Sequence, residues 1–363
     1  MPDFIHQVEP YVTEAEGKAV AEYLNSGGWL TEFQKTRELE EAIAGFAGAK
    51  HGICTTSGTV GLYLALLAAG IGKGDKVAVP NYTMVASINV ILWCGAEPVI
   101  CDVDADTFCA DVETIPNPDE IKALMYVSMN GRSGDLDGVQ KFCRAHDIIL
   151  IEDAAQAMGS NFRGKALGTF GLAGVYSFTP HKIITTGQGG IVLTSDDAVA
   201  EKVRKLKDFH RVGAGVDDHD GIGFNFKFTD VQAVIGLEQF KLIDFRIQRK
   251  KEIYTAYRDR LSDIDEVTLF KADLEDCAPW FIDVLLPSEE ARNNMIAHLK
   301  ENGIGSRKFY PPINSQQPFR QFPAGSFPVS EEMAPRGIWL PTSIGITDEQ
   351  IDRVCDAIEA FIE

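Results

Sequence analysis

The sequence lacks the features that mark secreted, zinc-stapled and membrane-spanning proteins. Its seven cysteines are odd in number and scattered, with no Cys-x-x-Cys pair, so neither a disulfide framework nor a zinc site is expected. The N-terminal residues have no basic segment followed by an apolar one, and no apolar run approaches the ~20 residues of a membrane span. We therefore expect a cytoplasmic protein in a reducing compartment, without a membrane partner.

Positive charge is also scarce. The chain has 34 lysines and arginines against 53 aspartates and glutamates, which gives a net charge of −19 at pH 7. A field of this sign repels phosphate-rich polymers, so nucleic acid is not an expected partner. A solvated acidic surface is the simplest interpretation of the charge. An anionic substrate would then need a locally basic pocket.

Motifs that bind nucleotides through a glycine-rich loop are missing as well. No predicted strand is followed by Gly-x-Gly-x-x-Gly with an acidic residue ~20 positions further on, so a Rossmann dinucleotide site is disfavoured. No Gly-Lys-Ser/Thr follows a glycine turn, so a P-loop is absent from the sequence. The seven histidines are dispersed, and we expect no metal site.

The first two thirds of the chain alternates short apolar strands with helices. Strands are predicted at 52–55, 75–80, 97–103, 122–128, 147–153, 174–178 and 190–195. Strands that are apolar throughout and alternate with helices are typical of a mostly parallel sheet covered on both faces. The fold class predicted is therefore α/β.

The pattern changes near residue 262. A strand predicted at 280–286, a helix at 289–302, a proline-rich loop and a closing helix at 348–362 indicate a compact α+β unit. A charged helix at 247–261 is the expected connector. We divide the chain into a large α/β domain with an N-terminal helical arm, residues 1–245, and a small C-terminal domain, residues 246–363.

The first candidate site is the turn formed by Ser57, Gly58 and Thr59 between a strand and a helix. Backbone N–H groups and the positive end of a helix dipole make such a turn suitable for an anion. Serine and threonine also favour helix N-caps, so an ordinary cap is the simpler explanation of this segment alone.

The second candidate is the end of the strand at 147–153, where Glu152 and Asp153 are followed by Gln156. In open α/β sheets, ligands bind outside the carboxyl ends of the strands. An aspartate there would suit a metal, a ribose or a protonated ring nitrogen, and a helix cap is the structural alternative.

The third candidate is Lys182, which stands on a loop between two apolar strands, after Ser177 and before a glycine cluster. A single loop lysine is usually a solvated surface residue. Together, however, an amine, a strand-end carboxylate and an anion turn meet the needs of pyridoxal 5'-phosphate (PLP). That cofactor requires an amine for a Schiff base, a carboxylate beside its ring nitrogen and a cradle for its phosphate.

The ordered motifs of the chain resemble the DegT/DnrJ/EryC1/StrS family of sugar aminotransferases. The resemblance covers nearly the whole chain and rests on seven segments in family order. They are GGWLTEFQKTRELEEAIA (27–44), TTSGTVGLYLAL (55–66), VPNYTMVASINVILWCGAEPVICDVDADTF (79–108), IEDAAQAMGS (151–160), YSFTPHKIITTGQGGIVLT (176–194), GFNFKFTDVQAVIG (223–236) and NGIGSRKFYPPI (302–313).

The resemblance implies a PLP-dependent transferase of fold type I and assigns roles by position. Lys182 matches the Schiff-base lysine, Asp153 the partner of the pyridine nitrogen, and Gln156 a residue near the phenolic oxygen of the ring. Further matches are phosphate contacts at Ser57, Gly58, Thr59 and Ser177. Asn225 matches a residue that reaches the phosphate of the neighbouring subunit, which implies a homodimer with shared active sites.

Two departures from the family pattern bear on these assignments, the first on the cofactor and the second, in a region near the substrate in relatives, on the identity of the substrate. Met84 stands where relatives commonly have an aromatic residue, so either Met84 or Tyr82 is expected to pack on the cofactor ring. The segment 127–131 reads Val-Ser-Met-Asn-Gly in place of the usual Val-His-x-x-Gly, and Arg132 follows it.

By resemblance, the reaction takes an amino group from L-glutamate to a nucleotide-linked keto-deoxysugar for O-antigen or another glycan. The pattern is nearest to the group of the family that forms perosamine from a GDP-linked 4-keto-6-deoxymannose. UDP- or dTDP-linked 4-keto or 3-keto sugars and a regulatory PLP-binding protein remain alternatives. Candidate substrate ligands are Arg132, Arg211, Arg307, Lys308 and Tyr310.

Overall fold

The computed structural model describes residues 4–213, 215–322 and 325–362. An N-terminal arm carries two helices, α1 (Glu14–Asn25) and α2 (Gln34–Ala47). A capping box begins α1, because the Thr13 side chain accepts a backbone hydrogen bond while Glu16 accepts one from the Thr13 backbone. Gly48, at φ +70°, ends α2 in the left-handed region that favours glycine.

A sheet of seven strands forms the centre of the molecule. Its strands are β1 (His51–Thr55), β2 (Lys76–Pro80), β3 (Glu97–Cys101), β4 (Ile121–Val127), β5 (Ile149–Asp153), β8 (Ala173–Ser177) and β9 (Gly190–Thr194). A hairpin of β6 (Asn161–Phe162) and β7 (Lys165–Ala166) lies between β5 and β8 in the chain. The order in the sheet is β1-β9-β8-β5-β4-β2-β3, and only the pairings made by β9 are antiparallel. The predicted, mostly parallel α/β sheet is thereby confirmed.

Helices cover both faces of this sheet. They are α3 (Gly58–Ala68), α4 (Ala86–Trp93), α5 (Leu136–Ala145), α6 (Asp197–Lys207) and α7 (Asp230–Lys241). Ser57, Asp135, Asp196 and Thr229 each accept a backbone N–H as the N-cap of the helix that follows. Two separate apolar clusters, one on each face, make the strands buried throughout.

The long helix α8 (Ile243–Leu261) leads into a second, antiparallel sheet. Its strands are β10 (Thr268–Leu269), β11 (Ile282–Leu285), β12 (Arg307–Lys308) and β13 (Gly337–Leu340), in the order β10-β11-β13-β12. The remaining helices are α9 (Glu289–Glu301), α10 (Pro328–Met333) and α11 (Asp348–Ile362). A third apolar cluster joins α8, α9 and α11 to this sheet.

The sequence predicted β11, α9 and α11 but not the other three strands of the second sheet. The boundary predicted between residues 245 and 246 falls inside α8, and the division into two domains stays a prediction. In the described part of the chain, no helix combines the length and the hydropathy that crossing a bilayer requires.

Candidate active site

A cavity of about 490 Å³ opens at the carboxyl ends of β5 and β8 and is closed on its other side by the second sheet. Ten of the residues predicted from the sequence line it. They are Ser57, Gly58, Thr59, Met84, Asp153, Gln156, Ser177, Lys182, Arg307 and Tyr310. Its position agrees with the general location of ligand sites in open α/β sheets.

The N-terminus of α3 forms one wall of the cavity as a tight backbone cradle. Ser57 is extended and accepts the Val60 N–H at 3.2 Å, which leaves the first N–H groups of the helix without an intrahelical acceptor. A Cβ on Gly58 would lie 3.0 Å from the Cβ of Ser177, and one on Gly190 would lie 2.5 Å from the Gly58 nitrogen. The absence of side chains therefore keeps the N–H groups and nearby hydroxyls open to an anion, which fits the phosphate of PLP.

Asp153, the last residue of β5, is 6% exposed and places its carboxylate at the cavity floor. The Ser87 hydroxyl donates to it at 2.7 Å and the Ala155 N–H at 3.2 Å, which fixes its orientation. Burial raises the pKa of Asp153, and the Ser87 hydrogen bond opposes that change. A buried carboxylate of this kind fits a protonated ring nitrogen as its partner.

Lys182 lies on the loop between β8 and β9, and its amine faces the same cavity. Desolvation lowers the pKa of Lys182 to about 7; the charge of Asp153 opposes this shift and that of Arg307 adds to it. In the described residues, the contact made by the amine is with the face of Trp280, 3.5 Å from the ring centroid.

Met84 and Tyr82, the two candidates for packing on the cofactor ring, lie in different places. Met84 is 44% exposed and lines the cavity. Tyr82 is 1% exposed, and its ring stacks on Phe108 at a centroid distance of 4.4 Å, behind the cavity wall. The structure therefore offers the thioether of Met84, and not the Tyr82 ring, to a ligand.

The fold places only some of the residues predicted to bind substrate in the cavity. Arg307 and Tyr310 line the cavity, and within the described residues the Arg307 guanidinium makes no ion pair. Arg132 lies outside the lining, because its guanidinium is buried and pairs with Asp283 at 2.6 Å, and its role as a substrate ligand stays a prediction.

Arg211 and Lys308 also lie outside the cavity of this chain. Arg211 pairs with Asp208 and Asp217 on a surface loop. Lys308 follows Arg307 in β12, and alternation along a strand turns its exposed side chain to the opposite face. Neither residue is in place to contact a ligand in this cavity.

Gln156 and Asn225 complete the predicted set. The Gln156 side-chain oxygen accepts the Asn130 N–H at 2.8 Å, so the amide is held at the cavity edge by the loop after β4. Asn225 is exposed, pairs through its backbone with Asp208 and does not line the cavity of its own chain. That it reaches a neighbouring subunit remains a prediction.

Several lining residues were not predicted from the sequence. Trp280, Gln316, Gln188 and Thr179 belong to this group, and His181 was left without a role. Trp280 reads as part of an apolar strand, and nothing in its local pattern indicates a ligand-facing ring. Ser87 reads as an ordinary residue of a helix, although it orients Asp153.

Comparisons with known proteins agree with this geometry. Residues 10–359 match the model of the DegT/DnrJ/EryC1/StrS aminotransferase family. The chain belongs to this family. It is 36% identical over 337 residues to the GDP-perosamine synthase of Caulobacter vibrioides, which covers 90% of this chain and 89% of that protein. Against the GDP-perosamine synthase of Vibrio cholerae it is 31% identical over 358 residues, 97% of this chain and 98% of that protein.

Solved structures with the same fold include PseC of Helicobacter pylori, an aminotransferase involved in the biosynthesis of pseudoaminic acid. Its TM-score is 0.92 at 26% identity, with 99% of each chain covered. A Streptococcus pneumoniae protein, solved in PLP and PMP forms, matches with a TM-score of 0.91 at 26% identity over 99% of this chain and 98% of that one. Members of the family are PLP-dependent sugar aminotransferases, which confirms the predicted fold, cofactor and class of enzyme.

Proposed function

We propose that the protein transfers an amino group from L-glutamate to a nucleotide-linked keto-deoxysugar, with GDP-4-keto-6-deoxymannose as the first candidate. The observation that carries the proposal is the Arg307 guanidinium, which stands in the cavity near Lys182 without an ion-pair partner among the described residues. In a chain of net charge −19, this local cation is what an anionic substrate needs. Similarity to two GDP-perosamine synthases supports the choice of nucleotide and sugar.

In this proposal, the residues of the cavity hold PLP at three points. The N-terminus of α3 with Ser177 binds the phosphate, Asp153 pairs with the ring nitrogen, and Lys182 supplies the amine for covalent attachment. When bound, PLP supplies an electron sink that makes the substrate Cα–H acidic. Met84 provides a soft, polarizable surface against the ring.

Lys182 then moves the proton. Its pKa of about 7 leaves a large neutral fraction at physiological pH, so the amine can accept a proton and return it to a neighbouring carbon. Arg307 orients the anionic part of the substrate, and Tyr310 and Gln316 shape the space beside it.

Two further parts of the proposal concern the setting of the enzyme. A homodimer would bring Asn225, exposed on its own chain, to the phosphate of the partner's cofactor. A cytoplasmic enzyme that makes perosamine for O-antigen would find both substrates in that compartment. Sedimentation of the holoenzyme would test the dimer directly.

The experiment that tests the proposal is a panel of keto-sugars linked to GDP, dTDP and UDP, each incubated with L-glutamate while 2-oxoglutarate release is measured. We expect the GDP-linked 4-keto-6-deoxymannose to give the highest kcat/KM. A preference for a dTDP- or UDP-linked sugar, or for a 3-ketone, would change the proposed substrate but leave the proposed aminotransferase reaction in place. A yellow protein that ignores every donor and sugar would be a regulatory PLP-binding protein.

A further inference from the structure

Trp280 stands at the meeting point of the cavity and the second sheet and directly touches the Lys182 amine. Its indole ring lies 3.5 Å from the Lys182 Nζ, measured to the ring centroid, and the residue is 5% exposed. Ring faces carry negative electrostatic potential, so they attract an ammonium group most strongly where water is excluded. The described residues offer the amine no hydrogen bond, so this face is its main contact.

Trp280 is held by contacts of both its ring and its backbone. Its Nε1–H donates to the His181 carbonyl at 2.7 Å, and its own carbonyl accepts from Lys250 at 2.6 Å. Phe281 stacks on the ring at a centroid distance of 3.7 Å and an angle of 16°. The hydrogen bond to His181 links the ring to the residue next to Lys182, so the ring keeps a fixed position relative to the lysine.

The electrostatic surroundings of the amine come from several elements. One carboxylate favours the charged form, while positive groups and desolvation oppose it. The titratable and charged groups that surround it are Asp153 on β5, His181 beside it, Arg307 on β12, Tyr310 after β12, and Lys250 on α8. Against this background, the face of Trp280 adds a contribution that favours the ammonium form and defines where it rests.

We propose that Trp280 is a positioning residue that provides the resting place of the Lys182 amine whenever that amine is not joined to the cofactor. This inference rests on the proposed role of Lys182. An amine held on the ring stays within reach of the cavity, cannot swing towards solvent, and keeps its protonated form accessible. Loss of the ring would make that form less stable and the position of the amine less defined.

The test measures the pKa of Lys182 in the full-length, cofactor-free protein by trace acetylation at a series of pH values, with peptide-resolved mass spectrometry. Trp280→Leu removes the ring face but keeps an apolar side chain. We expect the apparent pKa of Lys182 to fall by roughly one pH unit in this variant. Trp280→Phe keeps a weaker ring face, so a smaller fall in the same direction is expected.

Phe108→Leu is the matched control, because it removes a buried ring that packs on Tyr82, Phe270 and Phe309 and not on Trp280. Its Lys182 pKa should stay at the wild-type value. An unchanged or raised pKa in the Trp280 variants, or an equal shift in the control, would overturn the proposal. If Trp280→Leu does not fold, the comparison of Trp280→Phe with Phe108→Leu decides in the same way.

The pH dependence of kcat in the holoenzyme gives a second readout, and its acidic limb should move in the same direction as the labelling pKa. Failure of the proposed role of Lys182 would be recognised separately. In that case borohydride would fix the cofactor to another lysine, whatever the acetylation profile of Lys182.

Discussion

Lys182 and Lys250 line the same narrow gap of about 10 Å³, and their surroundings differ. Burial lowers the pKa of both Lys182 and Lys250 to about 7. Lys250 donates to the Trp280 carbonyl and to the carbonyl and hydroxyl of Thr342, at 2.6 to 2.9 Å. Lys182 instead opens into the large cavity and touches a ring face.

The difference shows that a lowered pKa does not by itself identify a catalytic lysine. Lys207, which is buried, has a raised pKa because Glu40 and Glu32 offset the desolvation. The Lys250 amine has its acceptors supplied by the protein and connects α8 to the second sheet. Access to a cavity and the lack of fixed hydrogen-bond partners distinguish Lys182, and the following predictions test that distinction.

Lys182→Ala should have the largest effect. It removes both the covalent attachment and the proton carrier, so we expect turnover to fall by at least about 10³-fold and the yellow colour to disappear. Absorbance of the purified protein and 2-oxoglutarate release measure both. A variant that stays yellow and active would place the chemistry on another residue.

Asp153→Asn should have the next largest effect. The amide keeps the shape of the side chain but cannot balance a protonated ring nitrogen, so kcat should fall by about 10²-fold or more while cofactor stays bound. Stopped-flow measurement with saturating L-glutamate isolates the reaction with the amino donor from the later reaction with the sugar. Wild-type kcat in this variant would remove Asp153 from the proposed site.

Lys250→Met should affect stability rather than chemistry. The change leaves the Trp280 and Thr342 carbonyls without their donor, which we expect to lower the free energy of unfolding by about 1–3 kcal/mol. Denaturant titration measures the loss. The folded variant should remain yellow, and a colourless, folded variant would contradict the assignment of Lys250 as a structural residue.

The same lysine predicts a pH dependence of stability. The pKa of Lys250 is about 7 when folded and near the ordinary value of 10.5 when unfolded, so between these values the unfolded chain binds a proton that the folded protein does not. Stability should therefore rise with pH across that window, by up to about 1.4 kcal/mol per pH unit for this group. Lys250→Met should reduce the slope by that amount, and an unchanged slope would disprove the low folded pKa.

Arg307→Ala should give the smallest effect, confined to binding. We expect KM for the nucleotide sugar to rise about tenfold with kcat nearly unchanged, because a charge contact to an anionic group is lost. Lys308→Ala is the matched control, since its side chain lies outside the cavity. Equal effects of the two substitutions would reduce the role of Arg307 to general surface charge.

The sequence predicts the cofactor side of the cavity better than the substrate side. Strands that are apolar throughout are recognisable, and the residues that follow β1, β5 and β8 share one edge of the sheet by topology. Ser57, Asp153 and Ser177 are placed by that rule. The family motifs identify Lys182. Its local sequence pattern alone does not distinguish it from a surface lysine.

The substrate side depends on long-range contacts that local pattern does not contain. Arg132 is paired with Asp283, 151 positions away, whereas Arg307 is left open to the cavity. The two-residue strand β12, which sets the side-chain direction of Arg307, is too short to show alternation. Trp280 lies just before β11, where its N–H donates to the carbonyl of Asn130 in a distant segment of the chain.

The most direct test of the account is reduction of the yellow holoenzyme with borohydride, followed by peptide mapping of the fixed cofactor. Both low-pKa lysines are then compared in one experiment, on the unaltered protein. We expect a single adduct, on the peptide that contains Lys182, and an unmodified Lys250. An adduct on Lys250, or on any other lysine in place of Lys182, would contradict it.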